Sequence, residues 1–148
     1  MFHMTTNRIH LAAIAALGLV LCAPEAHAAS ASISKAWFRS LPAGVPAAGY
    51  FELRNDGDKA LSLTGAASPA CGMLMLHKSE NMGGMEEMSM VDSIVIKPHA
   101  TLSFAPGGYH LMCMQPALKI GTQVPVTLDF ADGGKLSAAF TVRGAKGK

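Results

Sequence analysis

Charge is scarce in this 148-residue chain and has no dominant sign. Lys and Arg number 12, Asp and Glu 10, and the four types together make up 15% of residues. The charges are dispersed, and only Arg143, Lys146 and Lys148 cluster, in a Gly-containing tail. No nucleic-acid surface and no anionic-membrane patch is therefore indicated. A Ser-His-Asp set, a paired acid cluster and a phosphate loop are all missing. Gly83-Gly84 and Gly107-Gly108 are turn glycines, not a nucleotide fingerprint, so nothing supports catalysis. Helix-period segments of useful length are absent after residue 28. One apolar run stands out, Leu11 to Cys22, and it is too short to span a bilayer with comfort.

That run belongs to the amino-terminal segment. Arg8 and His10 give it a weakly basic start, and Ala26-His27-Ala28 puts small residues where a signal peptidase reads. Residues 1–28 are expected to be a secretory signal peptide cleaved after Ala28. A lipoprotein would use Cys22, but Leu21 before it is larger than such a site normally allows. Residues 29–148 are then one domain, long enough for a single core, and lack a membrane-spanning stretch. Two of the three cysteines, Cys71 and Cys113, remain. In an oxidising compartment a pair suggests a disulfide. Strand parity opposes it, because Cys113 points away from Met112 and Met114 while Cys71 shares parity with Met73, Met75 and His77. A bulge at Gly72 would remove the conflict; otherwise one thiol is buried and the other half-exposed.

The remaining chain reads as short strands split by turn residues. They run over Ser32 to Leu41, Ala48 to Arg54, Ala60 to Ala66, Gly72 to Lys78, Met85 to Val91, Ser93 to Lys97, Thr101 to Ala105, Tyr109 to Met114, Gln123 to Phe130 and Lys135 to Val142. The short central segments are the least regular. Asn55-Asp-Gly-Asp58 and Asp132-Gly-Gly134 are strong turn signals, and Ser79 to Gly84 reads as a polar loop. Read as about eight or nine strands in all, these ten segments at spacings near ten residues indicate an all-β fold, a Greek-key sandwich or barrel.

Methionine is the residue the chain has in excess. Eight of the ten lie between Met73 and Met114: Met73, Met75, Met82, Met85, Met88, Met90, Met112 and Met114. Core-filling methionines would be scattered. Clustered thioethers beside His77, His99 and His110 are a soft-metal signal, and the ion they suit best is Cu(I). Four residues have a telling spacing: His77-x10-Met88-x21-His110-x-Met112. His110 and Met112 share a strand face at period two. Two imidazoles and two thioethers are neutral ligands, unlike the carboxylate or thiolate that zinc normally recruits. Calcium and magnesium want oxygen. The plainer reading leaves Met73, Met75 and Met114 as strand packing, and Met82, Met85 and Met90 as loop residues that shield the site or hold a second ion transiently. His99, in a Pro-His-Ala turn, reads as a surface residue.

The quartet resembles the copper-binding motif of the periplasmic copper chaperones called PCuAC. Pro106-Gly-Gly-Tyr-His-Leu-Met112 resembles that family's strongest signature, and Ala48-Gly-Tyr-Phe-Glu-Leu-Arg-Asn-Asp-Gly57 its early strand and turn. The resemblance implies a cupredoxin-like Greek-key sandwich in the periplasm, expected to be a monomer. It implies one Cu(I) held by His77, Met88, His110 and Met112. It also implies a copper-acceptor partner, an oxidase subunit at a haem–copper site or another copper chaperone. Cys71 and Cys113 are additions to the basic pattern. A copper-storage or resistance protein could use the same ligands and would differ in stoichiometry. A blue-copper carrier would need His77, His110 and Cys113 with an axial Met112 or Met114, against the parity of Cys113.

Overall fold

The computed structural model describes residues 30–148 except Ala43, so the expected signal peptide and Cys22 lie outside the described residues. Ten strands occur in order: β1 (Ala31–Arg39), β2 (Ala47–Asn55), β3 (Leu61–Ala67), β4 (Cys71–Met82), β5 (Met85–Met90), β6 (Ile94–Ile96), β7 (Thr101–Phe104), β8 (Tyr109–Pro116), β9 (Gln123–Phe130) and β10 (Lys135–Arg143). The count exceeds eight or nine because the short β6 and β7 each find a partner, β6 on β3 and β7 on β2. No helix long and apolar enough to cross a membrane occurs among the described residues.

The strands follow one path, β5-β4-β8-β2-β1-β10-β9-β3-β6, with β7 on β2. Only β1 and β10 pair in parallel. The path is open at β5 and β6, so the barrel alternative is not realised, but β3 packs back against β4 and the sheet curls over one core. That core is what period-two alternation demands. Leu74 and Leu76 of β4 lie opposite Cys113 and Leu111 of β8, and all four are buried. Phe38, Phe51 and Phe140 are fully buried beside them, and Phe51 stacks on Phe104 with ring centroids 4.1 Å apart.

The other face of the same strands carries the soft donors. Met73 faces Met114, Met75 faces Met112 and His77 faces His110 across β4 and β8. Met73 is 58% exposed and fills no core.

Two local expectations need correction. Ser79 to Gly84 is not a loop: β4 runs on to Met82 and pairs with β5, leaving Gly83-Gly84 as the whole turn. Its polar residues misled because a strand with a solvent-facing side tolerates them. Nor does Gly72 carry a bulge. Cys71↔Pro116 and Met73↔Met114 belong to one uninterrupted register. On the partner strand Gln115, between Met114 and Pro116, adopts φ 48°. The missing Cβ of Gly72 gives the Gln115 side chain room to lie over it. Cys71, at the first position of β4, is half-buried, and the Cys71–Cys113 disulfide forms with Cα atoms 5.3 Å apart.

Candidate metal centre

His110 is fixed by the turn before it. Gly107 takes φ 80°, a value open to glycine. The chain then folds back so that Gly108 N–H donates to Ala105 O at 3.0 Å. The Gly108 carbonyl points at the ends of both ligand strands. It accepts the Ser79 N–H at 3.0 Å and lies 3.1 Å from His110 Nδ1. A carbonyl can only accept, so Nδ1 carries the proton and Nε2 keeps the lone pair. This is the outer-sphere contact that orients metal-binding imidazoles. His110 is 4% exposed.

His77 stands directly opposite on β4, its ring edge-on to His110 with centroids 5.7 Å apart. An imidazole nitrogen ligates at about 2 Å, so a ring centroid sits about 3 Å from the ion. Two rings on one ion therefore have centroids no more than about 6 Å apart, and this pair meets that condition. His77 Nδ1 is buried without a hydrogen-bond partner. Such a nitrogen costs about 1–3 kcal/mol, which coordination would recover. Burial, and after it the charge of His110, hold the His77 pKa below the ordinary imidazole value. Both effects favour the neutral ring, the ligating form.

Met112 follows His110 by two residues on the same face, opposite Met75 on one side and Ala48 on the other. The small Ala48 leaves a hollow beside the Met112 thioether. The hollow is a cleft of about 440 Å³ lined by Met88, His110, Met112, Tyr50, Ser79 and Glu86, with the loop residues Val45 and Pro46 as one wall. Met88 comes from β5, directly opposite Ser79, and is 56% exposed. Three of the four expected ligands thus line one cleft, while His77 adjoins it through the His110 ring. Met90 lies opposite His77 on β5. Met82 and Met85 face each other at the hairpin end, far along β4 from the histidines. His99 is away from the cleft, its Nε2 2.8 Å from exposed Asp58.

Among the described residues no three His, Cys, Asp or Glu side chains gather as a metal site. Beside the histidines the cleft offers the thioethers of Met88 and Met112, donors that suit a soft ion. Cys113 is spent in the disulfide and offers no thiolate, so the His₂Cys set of a blue-copper carrier is absent.

Sequence reasoning missed the floor of the cleft. Tyr50 is 4% exposed, its ring 5.0 Å from Trp37 and beneath the Arg39 guanidinium at 5.5 Å. Burial raises the Tyr50 pKa, offset in part by Arg39. Pairing of β2 with β8 puts Ala48 and Tyr50 on the ligand face. Residues 37–50 held no His or Met to draw attention to them, and their role depends on long-range pairing.

Residues 31–142 match the family model described as putative lipoprotein LpqE-like. The putative lipoprotein Lxx21020 of Leifsonia xyli subsp. xyli is 33% identical over 157 aligned positions, covering 97% of this chain and 94% of that protein. The solution structure of apo-DR1885 from Deinococcus radiodurans is 31% identical, covers 97% of each chain and superposes with a TM-score of 0.59. Its CuI-DR1885 form is 34% identical over 75% of this chain and 76% of that one, with a TM-score of 0.61. The copper-bound PCuAC domain from PmoF2, at 21% identity and a TM-score of 0.64, covers 80% of this chain and 96% of its own; that likeness is one of fold. The cupredoxin-like β fold and the likeness to PCuAC proteins expected from the sequence are both borne out.

Proposed function

The chain belongs to the LpqE-like lipoprotein family, and from that premise we propose that it is a copper metallochaperone of the cell envelope. It binds one Cu(I) through His77, Met88, His110 and Met112 and passes it to an acceptor protein. The observation that carries this reading is the cross-strand histidine pair, 5.7 Å between centroids, beside a cleft lined by Met88 and Met112. The solution structure of CuI-DR1885 from Deinococcus radiodurans supports the ion and its oxidation state.

Neutral donors suit the task. Four of them leave the site with the charge of the ion alone, which favours Cu(I) over Cu(II). Thioethers do not form disulfides, so the site survives where thiolates oxidise. Transfer needs a ligand that an incoming donor can replace first. Met88, exposed on the edge strand β5, meets that need, whereas His110 is enclosed. The acceptor presents its own soft ligands, as the copper site of a haem–copper oxidase or a further chaperone would, and the protein acts as a monomer. Export through residues 1–28 brings it to the periplasm. The family description also keeps Cys22 in view as a lipid-bearing amino terminus, and the intact mass of the exported protein separates a chain beginning at Ala29 from a lipidated one.

The test is anaerobic Cu(I) titration against a competing chelator, for the natural sequence and for His110→Ala. One tight equivalent is expected, reduced at least about a hundredfold in affinity by the substitution, or about 2.8 kcal/mol. Unchanged tight binding in His110→Ala overturns the ligand assignment.

A further inference from the structure

The thioether row does not stop at the histidine pair. Two further cross-strand pairs continue along the same face of β4 and β8, Met75 opposite Met112 and Met73 opposite Met114. We infer that Met73, Met75 and Met114 form a second soft-metal subsite, one that takes a monovalent d¹⁰ ion such as Cu(I) or Ag(I). It goes beyond the single-ion reading above and does not require it.

The spacing allows three sulfurs to meet on one ion. Cα atoms of directly opposite residues stand about 4.5–5.5 Å apart, and residues two apart on a strand about 7 Å. Methionine reaches its sulfur through an unbranched, flexible stem. Met73 and Met75 from β4 with Met114 from β8 thus make a three-cornered set of thioethers. Four residues separate Met73 from His77, a distance of about 13 Å along the strand, so this is a separate site and not a rearrangement of the first.

Packing does not account for Met73, the exposed member of the three, whereas Met75 and Met114 are half-buried. The core along this stretch is filled from the opposite face by Leu74, Leu111 and Cys113, while Met73 is 58% exposed. A large apolar side chain held out in water gains little from burial. The chemistry of the surroundings is selective as well. Residues 71–77 and 110–116 contain no Asp, Glu, Lys or Arg. Neither segment offers a hard cation a carboxylate, although Asp92 lines a hollow with Met75, and neither sets an ammonium or guanidinium against a soft one. Access is open, because β5 pairs with β4 only over residues 77–82.

Met75 links the two sites, since it lies opposite Met112 of the first set and next but one to Met73. An ion can therefore move between them by exchanging one thioether at a time. With no imidazole, the second subsite is expected to bind about tenfold or more weakly than the first.

The experiment is an anaerobic titration with Ag(I), which has the d¹⁰ configuration of Cu(I) without its redox chemistry. It follows the methionine ε-methyl and histidine ring signals by NMR in the natural sequence, in Met73→Leu/Met114→Leu and in His110→Ala. Leucine keeps the volume and apolarity. Two equivalents are expected in the natural sequence, the second moving the Met73, Met75 and Met114 methyls. The double variant should bind one equivalent with normal histidine shifts. His110→Ala should lose the first phase and keep the second. Persistence of the second equivalent in the double variant overturns the inference. So does a natural sequence whose Met73 and Met114 methyls never move. Loss of the first phase alone speaks only to the histidine site.

Discussion

His77 and His110 face each other across neighbouring antiparallel strands, each a direct partner of the other, with their rings edge to face. The pairing makes the site a property of strand register. A slip of one residue between β4 and β8 would send one ring into the core and bring a leucine out. Leu76 opposite Leu111 and Leu74 opposite Cys113, all buried, oppose that slip. The core face thus sets the metal face.

The depressed pKa of His77 makes the metal-free protein sensitive to acid. In the unfolded chain His77 titrates at about 6.5; in the folded chain, burial and then His110 lower that value. As pH falls below about 6.5 the unfolded state takes the proton first, so stability, complete above that pH, declines as pH drops toward the folded pKa. Urea midpoints of the metal-free protein should fall between pH 7.5 and pH 5, and fall less in His77→Gln. Equal losses in the two proteins would show that His77 is not a source of the acid sensitivity.

Much of this was legible because alternation is a local signal. Leu74 and Leu76 against Met73, Met75 and His77 gave the faces of β4, and Gln123 to Phe130 matched β9 without a shift. What local pattern could not supply was pairing. Ser79 to Gly84 looked like a loop because all of its residues but Ser79 face solvent, and only β5 beside them makes a strand of Ser79 to Met82. Strand parity argued against the Cys71–Cys113 disulfide, and no local feature announced that Cys71, at the very start of β4, would reach Cys113. Tyr50 and Ala48 entered the cleft through β2–β8 pairing, some sixty residues apart in sequence. His77, Met88, His110 and Met112 stood out in the sequence because their residue types carry chemistry of their own.

Met88 and Met112 should differ as ligands. Met112 is half-buried between Ala48 and Met75, so its thioether is held near the site before the ion arrives. Met88 is 56% exposed on an edge strand and must be ordered on binding. Met112→Leu should therefore weaken Cu(I) by about a hundredfold and Met88→Leu by about tenfold, or about 2.8 against 1.4 kcal/mol. Met88→Leu should also change the rate of transfer to a competing chelator more than Met112→Leu does. Competition titrations with stopped-flow transfer check both, and a larger affinity loss in Met88→Leu would reverse the assignment of the exchangeable ligand.

The Cys71–Cys113 bridge spans 42 residues, from the start of β4 to β8, the strand of His110 and Met112. Closing a loop of that length in the unfolded chain is worth about 4 kcal/mol by chain entropy. Reduction should lower the urea midpoint markedly. Thiol titration of the unreduced, denatured chain from Ala29 onward should find no free thiol. Two free thiols would mean that the bridge does not form, and an unchanged midpoint that it does not stabilise.

Asn55 offers a test of the fold at a distance from the metal face. It is fully buried at the end of β2. Its Nδ2 donates to Lys59 O at 2.7 Å and to Ile96 O at 3.2 Å, and its Oδ1 accepts the Gly57 N–H at 3.0 Å. One side chain thus ties the Asn55–Asp58 turn to β6. Asn55→Ala leaves three backbone groups without these partners, each a potential desolvation penalty of about 1–3 kcal/mol where water cannot reach. Water can reach the turn, so about 2–3 kcal/mol in all is expected. Asn55→Asp keeps the acceptor for Gly57 but loses both donors and faces two carbonyls with a carboxylate. It should be at least as destabilising as alanine at pH 7, and should recover in part as acid protonates it. Seven residues along β2 separate Asn55 from Ala48, the partner of Met112, about 23 Å. Cu(I) stoichiometry should therefore stay at one tight equivalent in both variants while their urea midpoints fall. Loss of that equivalent from a folded Asn55→Ala protein would mean that the far end of the sandwich holds the ligand strands in register.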